Sequence, residues 1–349
     1  MRTLLLHDGT ASALAQCQAL SMAVSKQRRA LGRTLSRDVI HGAAQTLFGR
    51  LLPTRVQTSA AYFGVIGPWF DSSIYKTLAQ GEEQKVDFII ACGRSTAPVS
   101  VLLRSKLKER VPISVQLLNP RCGPHLSPIL FDAIVTPQHD KVSHYKNVIP
   151  TVGALTWVDK EALAHVRKEA DRLPHTWASL ATAELDEKLI VLLGGDTTRA
   201  RMLASCAVEQ VLAEVERPSK YSKSKAVYVI GSRRTPPSVL DALEKRGFLV
   251  WRPPPNWGPA TQTFNPYRAA LAFGTQFIVT ADSISMVTEA YSTGRPVQVL
   301  YETVFASSLG SKTEHFLQVA AKKSWVTEGG SEADQVAKVL LDRFPRLAD

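Results

Sequence analysis

Three stretches in the second half of the chain place anion-binding residue types where a strand ends and a helix begins. The richest reads FIVTADSISMVTEAYSTGRPVQVL over residues 277–300. Its apolar, β-branched start at 277–280 reads as a buried strand. Ala281, Asp282 and Ser283 are turn and N-cap types, and Ile284, Val287 and Tyr291 then share one helical face. Ser283 and Ser285 bring hydroxyls to that helix N-terminus. The N–H groups of Ser285 and Met286, with the helix dipole, make it a ready anion site. Glu289, one to two turns further in, is placed to accept from ribose hydroxyls while a phosphate sits on the terminus. An ordinary capped helix carrying an exposed Glu is the plain alternative. The second stretch is Gly194-Gly195, directly after the apolar run at 188–193, where two glycines permit close approach of a ligand to the backbone. The third is Ser232-Arg233-Arg234-Thr235, after the apolar run at 226–230. Guanidinium groups beside hydroxyls at a strand end suit phosphate or carboxylate recognition. Surface arginines on a turn are the plain alternative there.

These residues need strands that all end at one edge. Strand patterns recur at 3–6, 86–91, 113–118 and 131–136 in the first half. In the second half they recur at 188–193, 226–230, 249–251, 277–280 and 297–300. Helical patterns lie between them, which is the signature of parallel β–α–β units. The fold class is therefore α/β, with polar loops converging at the carboxyl edge of a parallel sheet. A helix over 11–25 is predicted with Leu14, Cys17 and Met22 toward the core. Residues 160–187 are charged and weakly patterned, and the domain boundary is expected there. The resulting division is 1–170, 186–330 and a closing amphipathic helix within 331–349 that packs back on the first domain.

The chain has 349 residues and a net charge of +11. That balance favours anionic partners: phosphorylated ligands, an anionic membrane surface or nucleic acid. No nucleic-acid module is present, and the basic residues are not interleaved with aromatics, so nucleic acid is set aside. Residues 26–55 concentrate the charge, with seven Lys and Arg against Asp38. Apolar residues between them suit either an anionic membrane or a solvated helix face and loop. No apolar run approaches the ~20 residues of a membrane span. The N-terminus opens straight into a strand pattern, so neither a secretory signal nor a transit peptide is expected. Four widely spaced cysteines without CxxC predict free thiols, a cytosolic setting and no metal site.

Several stretches resemble one family in order. They are DG with the following Q and AL within 8–20, GRSTAPV at 93–99, QLLNPR at 116–121, PQHD at 137–140 and NVIPTVGAL at 147–155. They continue with LLGGD at 192–196, GSRRTPP at 231–237, NPY at 265–267 and TADSISMVTEAYSTGRPV at 280–297. Together they resemble the elongated-mitochondria fission-factor family, which includes plant mitochondrial fission factors and bacterial relatives. Residues 302–325 keep only Lys312 and Phe316 of the basic, Phe-containing segment the resemblance implies.

The resemblance implies a GT-B-like fold, two Rossmann-like domains facing across a cleft, with the nucleotide-sugar donor held by the second. The positions that take the donor-site role are Gly194, Gly195, Ser232, Arg233, Arg234, Asp282, Ser283, Ser285, Met286 and Glu289. For an acceptor or base the first domain offers Asp8, His139 and Asp140 at strand ends, with His139 as a general base or simply a loop histidine. Two functions remain open. One is a fission factor peripheral to the cytosolic face of the mitochondrial outer membrane, with a dynamin-related GTPase as partner. The other is a nucleotide-sugar-dependent glycosyltransferase. No cofactor is required by either beyond a nucleotide-sugar as ligand or donor.

Overall fold

The computed structural model describes residues 1–33, 37–42, 52–65, 86–107, 111–122, 125–140, 145–182, 187–217, 225–254, 264–301, 303–325 and 330–348. The chain divides into two compact units. One is Met1–Trp157 with Glu332–Asp349, and the other is Val158–Ser331.

The first unit runs β1 (Arg2–His7), α1 (Ala11–Ala30), β2 (Arg37–Gly42), α2 (Thr54–Tyr62), β3 (Phe88–Cys92) and α3 (Ala97–Lys106). It continues with β4 (Ile113–Leu117), α4 (Ser127–Leu130), β5 (Ala133–Pro137) and β6 (Val148–Thr151). Its parallel sheet has the order β2-β1-β3-β4-β5-β6. The strands are apolar on both faces because helices cover both. Leu5, Ile90, Val115 and Val135 pack with α1, while Leu4, Leu6, Ile89 and Ile134 pack on the opposite face with α3. Strand order reverses between β1 and β3, which makes that pair the switch point of this sheet.

Two sequence expectations change here. The basic stretch 26–55 contains a strand, β2, paired in register with β1; residues 34–36 and 43–51 of it lie outside the described residues. An edge strand flanked by charge carries little of the apolar signal that marks central strands. Met22 is also not a core position. It is 51% exposed, and the core face of α1 is Ala13, Cys17, Leu20 and Val24, a strict helical row of small and apolar residues.

The last helix, α11 (Glu332–Arg343), lies on α1. Its Ala333, Val336, Ala337 and Leu340 join the core around Leu5 and Cys17. Polar contacts fix the register. The Glu332 carboxylate accepts from the Val152 N–H at 2.7 Å and the Gly153 N–H at 3.1 Å. The buried Arg28 guanidinium donates to the Leu347 carbonyl.

The second unit runs α5 (Lys160–Lys168), β7 (Glu187–Leu193), α6 (Ala204–Glu216), β8 (Lys225–Gly231), α7 (Pro237–Glu244) and β9 (Leu249–Trp251). It continues with α8 (Tyr267–Phe273), β10 (Gln276–Thr280), α9 (Ile284–Ser292), β11 (Val297–Leu300) and α10 (Ser311–Ala320). Helix α5 belongs to this unit, packing on α8 with Arg167 Nε donating to the Ala272 carbonyl at 2.8 Å. The sheet is parallel with the order β11-β10-β7-β8-β9. Successive strands run outward from β7 through β8 to β9, and the chain then crosses back to β10 and β11. The switch point therefore lies between β7 and β10, the pair whose carboxyl ends open a crevice in Rossmann-like sheets.

Candidate functional site

At the second switch point, three loops leave the carboxyl ends of β7, β10 and β8 and bond to one another. Thr280, the last residue of β10, accepts from the Gly194 N–H at 2.7 Å and donates to Asp282 Oδ1 at 2.8 Å. Asp282 Oδ2 accepts from the Gly195 N–H at 2.9 Å and pairs with Arg234 Nη2 at 2.8 Å. Arg234 Nη1 also donates to the Asp196 carbonyl at 3.1 Å, and the Asp196 N–H returns to the Arg234 carbonyl at 3.0 Å. Ser232 Oγ donates to the Gly194 carbonyl at 2.6 Å. Thr235 Oγ1 accepts from the Ser232 N–H at 2.8 Å and donates to the Leu193 carbonyl at 2.9 Å.

The Asp282 side chain is 0% exposed, so it is a latch for the backbone and not a contact for a ligand. Burial pushes its carboxyl above the usual carboxylate range, against the opposing pull of Arg234, Thr280 and the Gly195 N–H. The sign for stability follows from that direction. Between the ordinary carboxylate value and the raised one, the folded protein holds a proton that the unfolded chain releases. Asp282 therefore favours the folded state more as pH falls, the reverse of an ordinary paired Asp. Relative to Asp282→Asn, the wild-type second unit is expected to lose stability as pH rises from about 4 and then level off. Urea unfolding of both proteins across pH measures this; a difference that is flat or rises with pH contradicts it.

Both glycines of the β7 loop are required by space. A Cβ on Gly194 would lie 2.1 Å from Asp282 Oδ2, and one on Gly195 would lie 1.9 Å from the Arg234 carbonyl oxygen. Gly195 also has φ +153°, outside the range side chains favour.

The candidate residues thus fall into two groups. Gly194, Gly195, Ser232, Arg234 and Asp282 are brought together as the mutually bonded frame. Arg233, Ser283, Ser285, Met286 and Glu289 lie on the loops and helix that this frame holds. Arg233 is exposed and has no bonded partner among the described residues. Ser283 is the N-cap of α9, with Oγ accepting from the Met286 N–H at a long 3.5 Å. Ser285 and Met286 are half-buried in the first turn. Glu289 is not an exposed helix residue: it is 8% exposed and accepts from the Tyr267 hydroxyl. Burial first, then the Glu289 charge and its hydrogen bond, push the Tyr267 phenol well above its ordinary value, so it stays a donor. Asn265 Oδ1 accepts from the Tyr267 N–H at 2.9 Å and sets the start of α8.

Thr235 belongs to the stretch the sequence marks, but sequence reading did not single out Thr280 or Asp196 as parts of this frame. Their signal was present in position alone: Thr280 ends β10 and Asp196 lies in the loop after β7, the two strands that border the switch point. Arg199 and Arg201, exposed on the loop after β7, were also not singled out and add positive charge at the same edge of the sheet.

In the first unit the three candidate catalytic residues do not assemble. Asp8 follows β1, while His139 and Asp140 follow β5, three strand spacings away, or about 14 Å. Asp8 accepts from the Thr10 hydroxyl at 2.7 Å and the Thr10 N–H at 3.1 Å, a local turn leading into α1. Asp140 accepts from Thr136 Oγ1 at 2.8 Å, and His139 is buried. At the end of β3, the neighbouring Cys17 thiol and burial push the Cys92 thiol well up, so Cys92 is not poised as a thiolate nucleophile. All four cysteines are free. Among the described residues no His, Cys, Asp and Glu cluster suits a metal ion, and no helix is long and apolar enough to cross a membrane.

A sequence model of the family described as Mitochondrial fission ELM1 matches residues 13–349. The mitochondrial fission protein ELM1 of Arabidopsis thaliana is 29% identical over 239 residues, covering 61% of this chain and 51% of that protein. An uncharacterized protein of Rickettsia prowazekii (strain Madrid E), RP120, is 28% identical over 258 residues, covering 63% of this chain and 66% of that protein. The chain thus spans between half and two thirds of the length of these relatives. Among solved structures, the UDP-GlcNAc 2-epimerase of Neisseria meningitidis bound to UDP-GlcNAc shares the architecture. Its TM-score is 0.50 at 15% identity, with 100% of this chain and 93% of that chain covered. Identity at that level speaks to the fold alone: two Rossmann-like domains of the GT-B kind.

Proposed function

The chain belongs to the mitochondrial fission ELM1 family, and from that premise we propose a fission factor whose second unit binds a nucleoside diphosphate, as part of a nucleotide-sugar. In this reading it works at the cytosolic face of the mitochondrial outer membrane and helps to recruit a dynamin-related GTPase. The observation that carries the ligand part is the frame at the β7/β10 switch point. Five side chains and two glycine N–H groups are spent on holding three loop backbones in place, which a purely structural adaptor has no evident need to do. Beside the frame stand exposed Arg233 and the N-terminus of α9, the features this reading gives to an anion. Glu289, which also accepts from the Tyr267 hydroxyl, is the acceptor this reading gives to the ribose hydroxyls.

The glycosyltransferase reading ranks second. It needs a base at the acceptor, and Asp8 and Asp140 are each engaged by a neighbouring threonine in a local turn.

Thermal unfolding with UDP, GDP, CDP and their sugars, beside inorganic phosphate, tests the ligand class. UDP-GlcNAc is the first probe because the epimerase of the same fold holds it. At a hundredfold excess over Kd, one of them is expected to raise Tm by about 5–10 °C. A tagged chain in cells is expected at mitochondria. No shift with any nucleotide defeats the pocket, and a location away from mitochondria defeats the membrane assignment.

A further inference from the structure

Helix α2 and the turn after it are built inside out. The buried residues of α2 are Thr54, Gln57, Thr58 and Ala61. They satisfy their polar groups locally: Gln57 Nε2 donates to the Leu52 carbonyl at 2.9 Å, and Thr58 Oγ1 bonds the Thr54 carbonyl and meets Cys122 Sγ at 3.3 Å. Ser105 Oγ of α3 donates to the Ala61 carbonyl at 3.2 Å. The large apolar side chains face solvent instead. Val56 is 47% exposed, Tyr62 47%, Phe63 79% and Val65 48%. Val56 and Phe63 are seven residues apart and lie on one row of the helix surface. The Tyr62 and Phe63 rings meet edge to face at 5.4 Å, so the pair is pre-arranged without a partner. Solvent exposure of this much aromatic surface on ten consecutive positions marks an interaction site.

Charge says what kind. Exposed Arg55 lies on the row that leads to Tyr62, and the Lys106 ammonium lies beside Gly64. No acidic residue occurs between positions 39 and 70. A second copy of this face would bring like charges together, and the whole chain carries +11. The apolar residues are exposed at the end of the helix, with aromatic rings flanked by cations. That combination matches the boundary of an anionic bilayer, where aromatic rings enter the headgroup region and Lys and Arg meet lipid phosphates.

We propose that the Val56, Tyr62, Phe63 and Val65 tip, with Arg55 and Lys106, docks the first unit onto anionic lipid, Phe63 entering the headgroup boundary. This deepens the membrane part of the function proposed above and rests on it; the nucleotide site is independent of it.

Flotation of the full chain with phosphatidylcholine vesicles, with and without phosphatidylglycerol, tests it. Binding is expected only to the anionic vesicles. Phe63→Ala is expected to weaken it about tenfold or more, because an aromatic side chain loses its buried area. Arg55→Gln and Lys106→Gln are each expected to weaken it about fivefold. Phe63→Trp is expected to restore binding and to shift its emission to the blue on vesicle addition. All these positions are exposed, so Tm is expected to stay unchanged and misfolding is excluded as a cause. Anionic-vesicle binding that ignores Phe63 overturns this tip but keeps a basic membrane contact elsewhere, such as residues 26–50. Absence of vesicle binding overturns both. Self-association in sedimentation that Phe63→Ala abolishes assigns the face to a second copy and overturns the lipid assignment.

Discussion

Gly195→Ala is expected to unfold the second unit at temperatures where the first remains folded. The added Cβ would sit 1.9 Å from the Arg234 carbonyl oxygen and 2.5 Å from the Thr235 nitrogen, both backbone atoms. Neither can swing aside as a side chain would. The Asp196 N–H to Arg234 carbonyl bond binds the two loops together at that point, so the β7 loop cannot retreat without losing it. Retreat would also pull the Gly195 N–H from buried Asp282. Overpacking costs about 1–3 kcal/mol, and a side chain held in a disfavoured backbone region costs about 1–3 kcal/mol more. The sum is a large share of the roughly 5–15 kcal/mol that holds a domain together. Thermal unfolding followed by tryptophan fluorescence reads it, since Trp177 is buried in this unit and Trp157 lies in the other. A midpoint for the second unit within error of wild type would show that the frame is not packed as described.

Much of this architecture is legible in the sequence because parallel strands covered on both faces are unbroken apolar runs. LLL at 4–6, FIIA at 88–91 and LIVLL at 189–193 each announce a strand and its polar loop. What escapes has physical causes. Strand β2 sits at the sheet edge and carries charge, so its run looks like a basic surface segment. Met22 looks apolar by type, but it lies off the row of Ala13, Cys17, Leu20 and Val24 that packs on the sheet. Glu289 looks solvent-exposed on spacing, yet the Tyr267 hydroxyl, 22 residues earlier in the chain, makes it a buried acceptor. The most consequential case is Arg233-Arg234. Adjacent arginines are equivalent by composition, and the fold separates them. Arg234 is spent on Asp282 and the Asp196 carbonyl, while Arg233 points to solvent. Only the contact between the β8 and β10 loops, about 50 residues apart, makes that distinction.

That separation sharpens the test of the nucleotide site. If the frame exists to present a cation and a helix terminus to a diphosphate, the exposed arginine carries affinity without carrying stability. A hydrogen bond to a charged group is worth about 1.5–3 kcal/mol, a factor of about ten to a hundred in Kd. Arg234→Ala is expected to reduce both affinity and stability, because it leaves the buried Asp282 carboxylate without its cation. Arg233→Ala isolates the ligand contact. Titration calorimetry of UDP, GDP and CDP into wild type and Arg233→Ala, with Tm recorded for both, is therefore the most direct measurement. The predicted result is saturable binding of one diphosphate by wild type at or below about millimolar Kd, weakened about ten- to hundredfold in Arg233→Ala at unchanged Tm. No heat from any diphosphate with wild type at millimolar concentration, or equal binding by the two proteins, would contradict it.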